Sequence, residues 1–117
     1  MKTSLCYLGI PYTHEDPRVM EARYKAVNKK AAELMGAGIH IYSPISHSVA
    51  IAKEGGLPST WEFWEKYDRA ILSICSILFV YMLPGWQHSI GLTAEIAIAT
   101  ELGIDIEYLP HVLEFEG

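Results

Sequence analysis

The chain has 117 residues and half of them are hydrophobic, which predicts one domain over residues 1–117 with an apolar core. The net charge is −5 and there is no basic run, so neither a nucleic acid polymer nor an anionic membrane is the expected partner. No apolar run is long enough to span a bilayer, and the N-terminus lacks a secretory signal pattern, so a cytoplasmic protein is expected.

The first two predicted elements are a strand and a long helix. Residues 4–8 form a short apolar run that predicts a strand close to the N-terminus. Asp16 and Pro17 are residue types typical of a helix N-cap and of the first helical position, and a helix is predicted from there to about Met35. Apolar side chains recur along it at spacings of three and four, which indicates a core-facing stripe made of Met20, Tyr24, Val27, Ala31 and Leu34.

A second strand and a long connection follow. Residues 39–42 predict the strand, and Ser43-Pro44 ends it. Residues 43–60 predict a loop, because they begin with polar residues and contain a Gly-Gly pair; loops of this length usually serve as lids or binding loops. The next helix is predicted to begin at a capping box that starts at Ser59 and to run to about Ser73.

Asp68 lies within the apolar and aromatic stripe of that helix. The stripe has spacings of three and four and consists of Trp61, Trp64, Asp68, Ile71 and Cys75. A carboxylate among apolar side chains is costly unless it has a partner or a function. The alternative is that Asp68 lies at the edge of the stripe and pairs with Arg69 or Lys66.

The turn from the third strand into the last helix carries the strongest functional signal. Residues 77–83 are all apolar and predict a buried parallel strand, and residues 92–102 predict a helix. Between them, glycines allow tight turns and Ser89 offers a hydroxyl at a helix start, where free N–H groups can bind an anion. Glu95 follows among apolar neighbours, so it lies either on a narrow solvated stripe or in a site.

The predicted elements assemble into one small sheet. Residues 104–109 predict a fourth strand, and residues 111–117 a short polar tail. The element order predicts an α/β fold with a small, doubly wound, flavodoxin-like parallel sheet of about four strands in the order 2-1-3-4. Ligands bind such sheets at the switch point, here between strands 1 and 3. The side chains expected to converge there are those of Tyr7, Tyr12, Ser89 and Glu95.

Several kinds of chemistry are disfavoured by what the sequence lacks. There is neither a Gly-x-x-x-x-Gly-Lys phosphate loop nor a Gly-x-Gly-x-x-Gly turn, so ATP hydrolysis and nicotinamide chemistry are not expected. The histidines have no metal-type spacing, so no metal and no cofactor is predicted. What remains is a pair of carboxylates, Asp68 and Glu95, with aromatic rings. Two carboxylates can cleave a glycosidic bond, and aromatic rings can stack on a base.

Four motifs, in this order, resemble the nucleoside 2-deoxyribosyltransferase superfamily, which includes the deoxynucleoside monophosphate N-glycosidases. The resemblance extends over roughly residues 5–108. The motifs are Tyr7-Leu8-Gly9 with Pro11, the turn Ser43-Pro44, Asp68 with Leu72, and Ser89-x-Gly91-x-x-x-Glu95. One position departs from the pattern, because Thr93 replaces the usual second glycine before the glutamate.

The resemblance implies catalytic roles for three residues and a binding role for others. Glu95 would attack the anomeric carbon of the sugar, Asp68 would handle protons at the leaving base, and Tyr7 would orient Glu95. Ser89 stands where the transferases of free nucleosides carry Asp, which implies a preference for a 5′-phosphate. The residues proposed to bind the nucleoside or nucleotide are Gly9, Pro11, Tyr12, Arg18, Arg23, His47, Trp64, Gly85, Ser89 and Gly91.

Two other functions stay open at this point. Pro84-Gly85 and Gly91-x-Thr93-x-Glu95 echo the phosphoribohydrolases that activate cytokinins, although the Gly-Gly pair of that motif is absent. A non-catalytic nucleotide-binding or sensing module would use the same anion site and aromatic pocket. In either case a homo-oligomer, a dimer or higher, is expected, because residues 92–102 are apolar on nearly all sides of their helix.

Overall fold

A computed structural model describes residues 4–111 of the chain. In this part, four strands form one parallel sheet in the order β2-β1-β3-β4, with helices on both sides. The strands are β1 (Cys6–Gly9), β2 (Ile41–Tyr42), β3 (Ile77–Met82) and β4 (Asp105–Pro110). The predicted small, doubly wound, flavodoxin-like sheet and its strand order are therefore confirmed.

Strand β3 is buried on both faces, as its unbroken apolar sequence predicts. Phe79 and Tyr81 pack on the face covered by the first helix, whereas Leu78 and Val80 pack on the opposite face. Tyr7 of β1 is in register with Leu78 and joins this second cluster. Alternate side chains of β1 and β3 thus divide the core between the two sides of the sheet.

Helix α1 (Pro17–Gly36) begins and ends close to the predicted positions. The side chain of Asp16 accepts a hydrogen bond of 2.8 Å from the backbone N–H of Arg18, so it caps the helix, and Pro17 occupies the first turn. Val27 and Ala31 of the predicted stripe are fully buried against the sheet.

Helix α2 (Pro44–Gly55) occupies most of the segment that the sequence predicts to be a loop, so that prediction is wrong. The Ser43-Pro44 pair that ends β2 also begins α2, with Ser43 in an extended N-cap conformation and Pro44 in the first turn. Gly56 ends the helix in the left-handed conformation, with φ 65°. The Gly-Gly pair therefore marks a helix end and not a flexible connection.

The remaining helices lie near the predicted positions. They are α3 (Trp61–Leu72) and α4 (Ile90–Leu102), and a short 3-10 turn at Trp86–His88 precedes α4. Thr60 is the N-cap of α3 and makes no side-chain hydrogen bond there, so the predicted capping box at Ser59 is not formed. The helices of residues 4–111 all lack the combination of length and apolar character needed to cross a membrane. The predicted polar tail lies outside the described residues from position 112 onward.

Arg23 joins the two turns that flank the switch point of the sheet. Its Nη1 donates to the carbonyl oxygens of Tyr12 and Thr13 at 3.2 and 3.3 Å, and its Nη2 donates to that of Pro84 at 3.0 Å. Gly85 follows Pro84 with φ 87°, and a Cβ atom there would lie 2.9 Å from Nη2. Glycine at this position therefore allows both the turn and the close approach of the guanidinium.

We predict that Arg23→Met lowers the free energy of unfolding by about 1–2 kcal/mol, because three carbonyl oxygens lose a charged donor while the aliphatic stem is largely kept. Arg18→Met is the matched control. The Arg18 side chain is 90% exposed and pairs only locally with Asp16, so its loss should change stability little. Urea denaturation of both variants measures the difference. Equal stability of the two variants would show that Arg23 does not hold the turns together.

Candidate active site

A cleft of about 710 Å³ opens at the carboxyl ends of β1 and β3. The turn after β1, helices α2 and α3, and the start of α4 line it, which is the position expected for a ligand in a doubly wound sheet. The volume is in the range of clefts that hold small molecules. Its lining is mainly apolar and aromatic, and Asp68 and Glu95 are among its polar residues.

Glu95 is buried in this cleft and bonded to Tyr7. Glu95 lies in the second turn of α4 and is only 6% exposed. The hydroxyl of the fully buried Tyr7, on β1, donates a hydrogen bond to its Oε2 atom. Gly9 makes room for this pair, because a Cβ atom there would lie 2.9 Å from Leu92 Cδ1 and 3.5 Å from Glu95 Oε1. The absence of a side chain at Gly9 lets α4 pack directly on β1.

Asp68 enters the same cleft from α3. It is 9% exposed, and its Oδ1 atom is buried without a hydrogen-bond partner among residues 4–111. The pairing with Arg69 that the sequence leaves open is not formed, because Arg69 pairs with Glu65 at 3.9 Å and Glu101 at 3.5 Å. A buried carboxylate oxygen without a hydrogen-bond partner is rare in a folded protein, and a functional site is one explanation for it.

Burial raises the pKa of both carboxyl groups. It raises the pKa of Asp68 to about 6. It raises the pKa of Glu95 to about 8; the negative charge of Asp68 adds to this effect, and the Tyr7 hydrogen bond opposes it. Burial and both carboxylates also hold the pKa of Tyr7 well above 10, so its hydroxyl stays a donor. At neutral pH the empty cleft therefore has a mostly neutral Glu95 beside a mostly ionised Asp68.

Two tryptophans of α3 give the cleft an aromatic wall. Trp61 and Trp64 both line it, and Trp64 Nε1 donates to the carbonyl oxygen of Pro58 at 2.8 Å, which fixes the position of its ring. Gly91 lies beside them, and a Cβ atom at Gly91 would be 3.8 Å from Trp61 Cε3. Flat rings in a largely apolar cleft suit an aromatic ligand.

The N-terminus of α4 faces the cleft with Ser89 as its N-cap. The Ser89 hydroxyl accepts a hydrogen bond of 3.2 Å from the backbone N–H of Leu92 and also lines the cleft. The unpaired N–H groups of this first turn and the helix dipole favour a negative group nearby.

One comparison with known proteins identifies a family. A family described as "Domain of unknown function (DUF1937)" matches residues 4–109, which include the whole cleft and all of the sheet except the last residue of β4. The chain belongs to this family. No curated protein matches it in sequence.

In this DUF1937 chain, six of the residues proposed from the sequence line the cleft. They are Tyr12, Trp64, Asp68, Ser89, Gly91 and Glu95. Tyr7 and Gly9 contact Glu95 from the sheet, and Pro11 is fully buried in the turn after β1.

Four other proposed residues lie outside the lining of the cleft: Arg18, Arg23, His47 and Gly85. Arg18 pairs with the N-cap of α1, and Arg23 donates to the backbone carbonyls of the two turns. The ring of His47 stacks on Tyr67, with centroids 5.8 Å apart and planes at 13°. The structure thus separates these side chains from the two carboxyl groups.

Helix α2 supplies six of the lining residues that the sequence does not predict: Pro44, Ile45, Ser48, Val49, Ala52 and Lys53. Ser48 and Lys53 are its polar members, and Ile45, Val49 and Ala52 form an apolar stripe at spacings of four and three. That stripe, after a Pro in the first helical position, is the sequence signal that predicts an amphipathic helix. Among the described residues, no three His, Cys, Asp or Glu side chains are grouped so as to hold a metal ion.

The raised pKa of Glu95 predicts that the free energy of unfolding depends on pH. Its pKa is about 8 in the folded chain and 4.5 as the ordinary value, so between these values the folded state binds more protons than the unfolded state. Stability must therefore fall as pH rises from 5 to 8, by about 3 kcal/mol from this group. Glu95→Gln removes this loss, because an amide has no charge to bury and can still accept from the Tyr7 hydroxyl.

Urea denaturation at pH 5 and pH 8 measures the effect. Wild type should lose clearly more stability than Glu95→Gln over this interval. Glu54→Gln, at an exposed position on α2, should behave like wild type. Parallel pH dependence in wild type and Glu95→Gln would contradict a buried, neutral Glu95.

Proposed function

We propose that the protein cleaves the N-glycosidic bond of a nucleoside or nucleotide, with a deoxyribose or ribose sugar, by hydrolysis or by 2-deoxyribosyl transfer. The observation that carries this proposal is the pair of buried carboxyl groups, Glu95 and Asp68, which open into one cleft with aromatic walls. Two carboxyl groups flanking a glycosidic bond provide both functions that its cleavage needs. The resemblance of the motifs to the nucleoside 2-deoxyribosyltransferase superfamily supports the same chemistry.

Each of three side chains has one role in the proposed reaction. The ionised Glu95 attacks the anomeric carbon, and the carbon–nitrogen bond to the base breaks. Asp68 gives its proton to the departing nitrogen of the base, so the base leaves as a neutral molecule. Water, or a second base, then attacks the anomeric carbon and gives its proton to Asp68, and the bond between the sugar and Glu95 breaks. Tyr7 keeps the Glu95 carboxylate oriented by its hydrogen bond.

The two carboxyl groups must exchange a proton before this reaction. The reaction needs Glu95 ionised and Asp68 protonated, whereas burial favours the opposite arrangement at neutral pH. Each required form is therefore the minor one at pH 7, and only a small fraction of the molecules carries both. The rate should therefore have a bell-shaped pH dependence with a maximum near pH 7, between the two pKa values.

Release of free base from a panel of nucleosides, deoxynucleosides and their 5′-monophosphates tests the proposal. We predict that Glu95→Ala lowers kcat/KM by about a thousandfold or more, as is typical for the loss of a nucleophile. Asp68→Asn should lower it by about a hundredfold or more, because the leaving base is no longer protonated. The matched control is Glu101→Ala, at an exposed position later on α4, which should keep wild-type activity. Near-normal turnover by a folded Glu95→Ala protein would refute the mechanism.

The neutral state of Glu95 favours one alternative function. A protonated carboxyl group is a poor nucleophile, so the cleft suits a non-catalytic module that binds or senses a nucleotide. The same panel separates the two functions, because a sensor would bind a member of the panel and release no base. Release from ribonucleoside monophosphates alone would indicate the phosphoribohydrolase type of reaction.

The 5′ end of the substrate is proposed to lie at the start of α4. A 5′-phosphate there would gain from the free N–H groups and the helix dipole, and Lys53 is a basic residue of the cleft that can add charge. Arg18 and Arg23, the candidates from the sequence, already donate to other groups.

We predict that Ser89→Asp shifts the preference from monophosphates toward free nucleosides. Asp also caps helices well, so the fold should be kept, but its charge repels a phosphate and can accept from a 5′-hydroxyl. The measurement is the ratio of kcat/KM for a monophosphate and its nucleoside. Ser73→Asp, at an exposed position after α3, controls for the added charge. An unchanged ratio in Ser89→Asp would place the phosphate elsewhere.

We also propose that the protein is cytoplasmic and that it assembles into a dimer or larger oligomer. The apolar side chains that an interface would cover are not in the middle of α4, where Leu92 and Ile98 are buried. They lie at its two ends, where Ile90 and Leu102 are exposed.

A further inference from the structure

Ser48 carries a buried hydroxyl group that no part of residues 4–111 satisfies. It lies on α2, is 8% exposed, and lines the cleft. Serine and threonine hydroxyls within helices usually donate to a carbonyl oxygen of the preceding turn. Thr100 does so toward Ile96 at 2.9 Å, and Ser73 donates to Ala70 at 2.7 Å. Ser48 makes no such bond, so its hydroxyl is a buried group without a partner in the wall of the cleft.

The orientation of Ser48 is fixed by the other side of α2. The hydroxyl groups of Ser43 and Ser46 are 2.6 Å apart, and Ser46 also donates to the side-chain oxygen of Asn28 on α1. Residues two apart in a helix point about 200° apart, so their side chains lie on nearly opposite sides. Because Ser46 is held against α1, Ser48 is held toward the cleft.

The Oδ1 atom of Asp68 is a second buried group without a partner, and it enters the same cleft from α3. Buried polar atoms are nearly always hydrogen-bonded, since an unsatisfied one destabilises the fold. Two of them in one aromatic cleft, from two different helices, indicate that a ligand supplies the missing partners. Asp68 accepts from an N–H group when ionised, and the Ser48 hydroxyl has its proton free to donate.

We propose that Ser48 is a specificity-determining residue that donates a hydrogen bond to an acceptor nitrogen or oxygen of the heterocyclic base. The base lies against the aromatic wall, with the nitrogen that receives the Asp68 proton directed to Asp68 and the acceptor directed to Ser48. In the free base this nitrogen carries an N–H group that donates to the ionised Asp68. This assignment rests on the proposed function, and it goes further by naming α2 as the element that selects the base. The ligand class is a nucleobase whose edge presents a donor and an acceptor together.

Calorimetric titration of the protein with free purine and pyrimidine bases tests this assignment without any turnover. Ser48→Ala should weaken binding of the preferred base about tenfold, as expected for one lost hydrogen bond. Ser73→Ala is the matched control and should bind the base like wild type. The Tm of Ser48→Ala should equal or exceed that of wild type, because the variant loses an unsatisfied buried hydroxyl and no internal bond. Unchanged affinity in Ser48→Ala, or no binding of any base by wild type, would overturn the assignment.

Base analogues identify the atom that Ser48 contacts. In an analogue whose acceptor nitrogen is replaced by C–H, or whose carbonyl oxygen is removed, the hydrogen bond is already absent. For the one analogue that lacks the contacted atom, wild type and Ser48→Ala should therefore bind with the same affinity. If Ser48→Ala weakened the binding of the parent base and of every analogue equally, Ser48 would act only through packing. That result would overturn the assignment.

Failure of this inference can be distinguished from failure of the proposed function. Base binding that depends on Ser48, without release of base from any nucleoside or nucleotide, would refute the glycosidase and support the recognition site. Glu95-dependent release with an unchanged kcat/KM and base affinity in Ser48→Ala would support the glycosidase and refute the recognition site.

Discussion

The hydrogen bond between Tyr7 and Glu95 is the contact around which the functional half of the molecule is built. It links the central strand β1 to α4 at a point where both residues are almost inaccessible to solvent. A carboxyl group in such a place needs a partner, and the Tyr7 phenol, whose pKa burial raises well above 10, provides a donor at neutral pH. Gly9 is part of the same constraint, because a Cβ atom at that position would lie only 2.9 Å from Leu92 Cδ1, so α4 would have to shift or Leu92 to repack. The packing of α4 on the sheet and the direction of the carboxyl group are therefore set together.

The same burial makes ionisation of the site depend on its ligand. Without a ligand, Glu95 keeps its proton because water is excluded and Asp68 is nearby. Neutralising Asp68 would remove one of the causes that raise the pKa of Glu95, and positive charge developing on a sugar would lower that pKa further. In the proposed reaction, a protonated Asp68 and a sugar that becomes cationic would thus both favour the ionised Glu95. Under the proposed function, the nucleophile would therefore become ionised only as the glycosidic bond begins to break.

The sequence predicts the sheet well because its strands follow from local patterns. The apolar run of β3, the cap at Asp16 and the turn into α4 are each specified by residues close in sequence. Glu95 and Asp68 were found because a carboxylate within an apolar stripe conflicts with its surroundings. Arg23 could not be placed in the same way: its acceptors Tyr12 and Pro84 are backbone carbonyls of two turns that only the fold brings together.

Helix α2 was missed for a reason connected with its role. Its residues Val49 and Ala52 line the cleft, and Ile45 lines the cleft and also packs against the core. Its serines divide between a contact with α1 and an unsatisfied hydroxyl at Ser48. Local preference and global fold agree in most of a stable protein, and they disagree where a site needs a group that the fold itself does not use. Stability alone would favour an apolar residue at Ser48 and at Asp68. The retention of two polar groups at the same cleft, each unsatisfied within the chain, is best explained by a ligand that bonds to both.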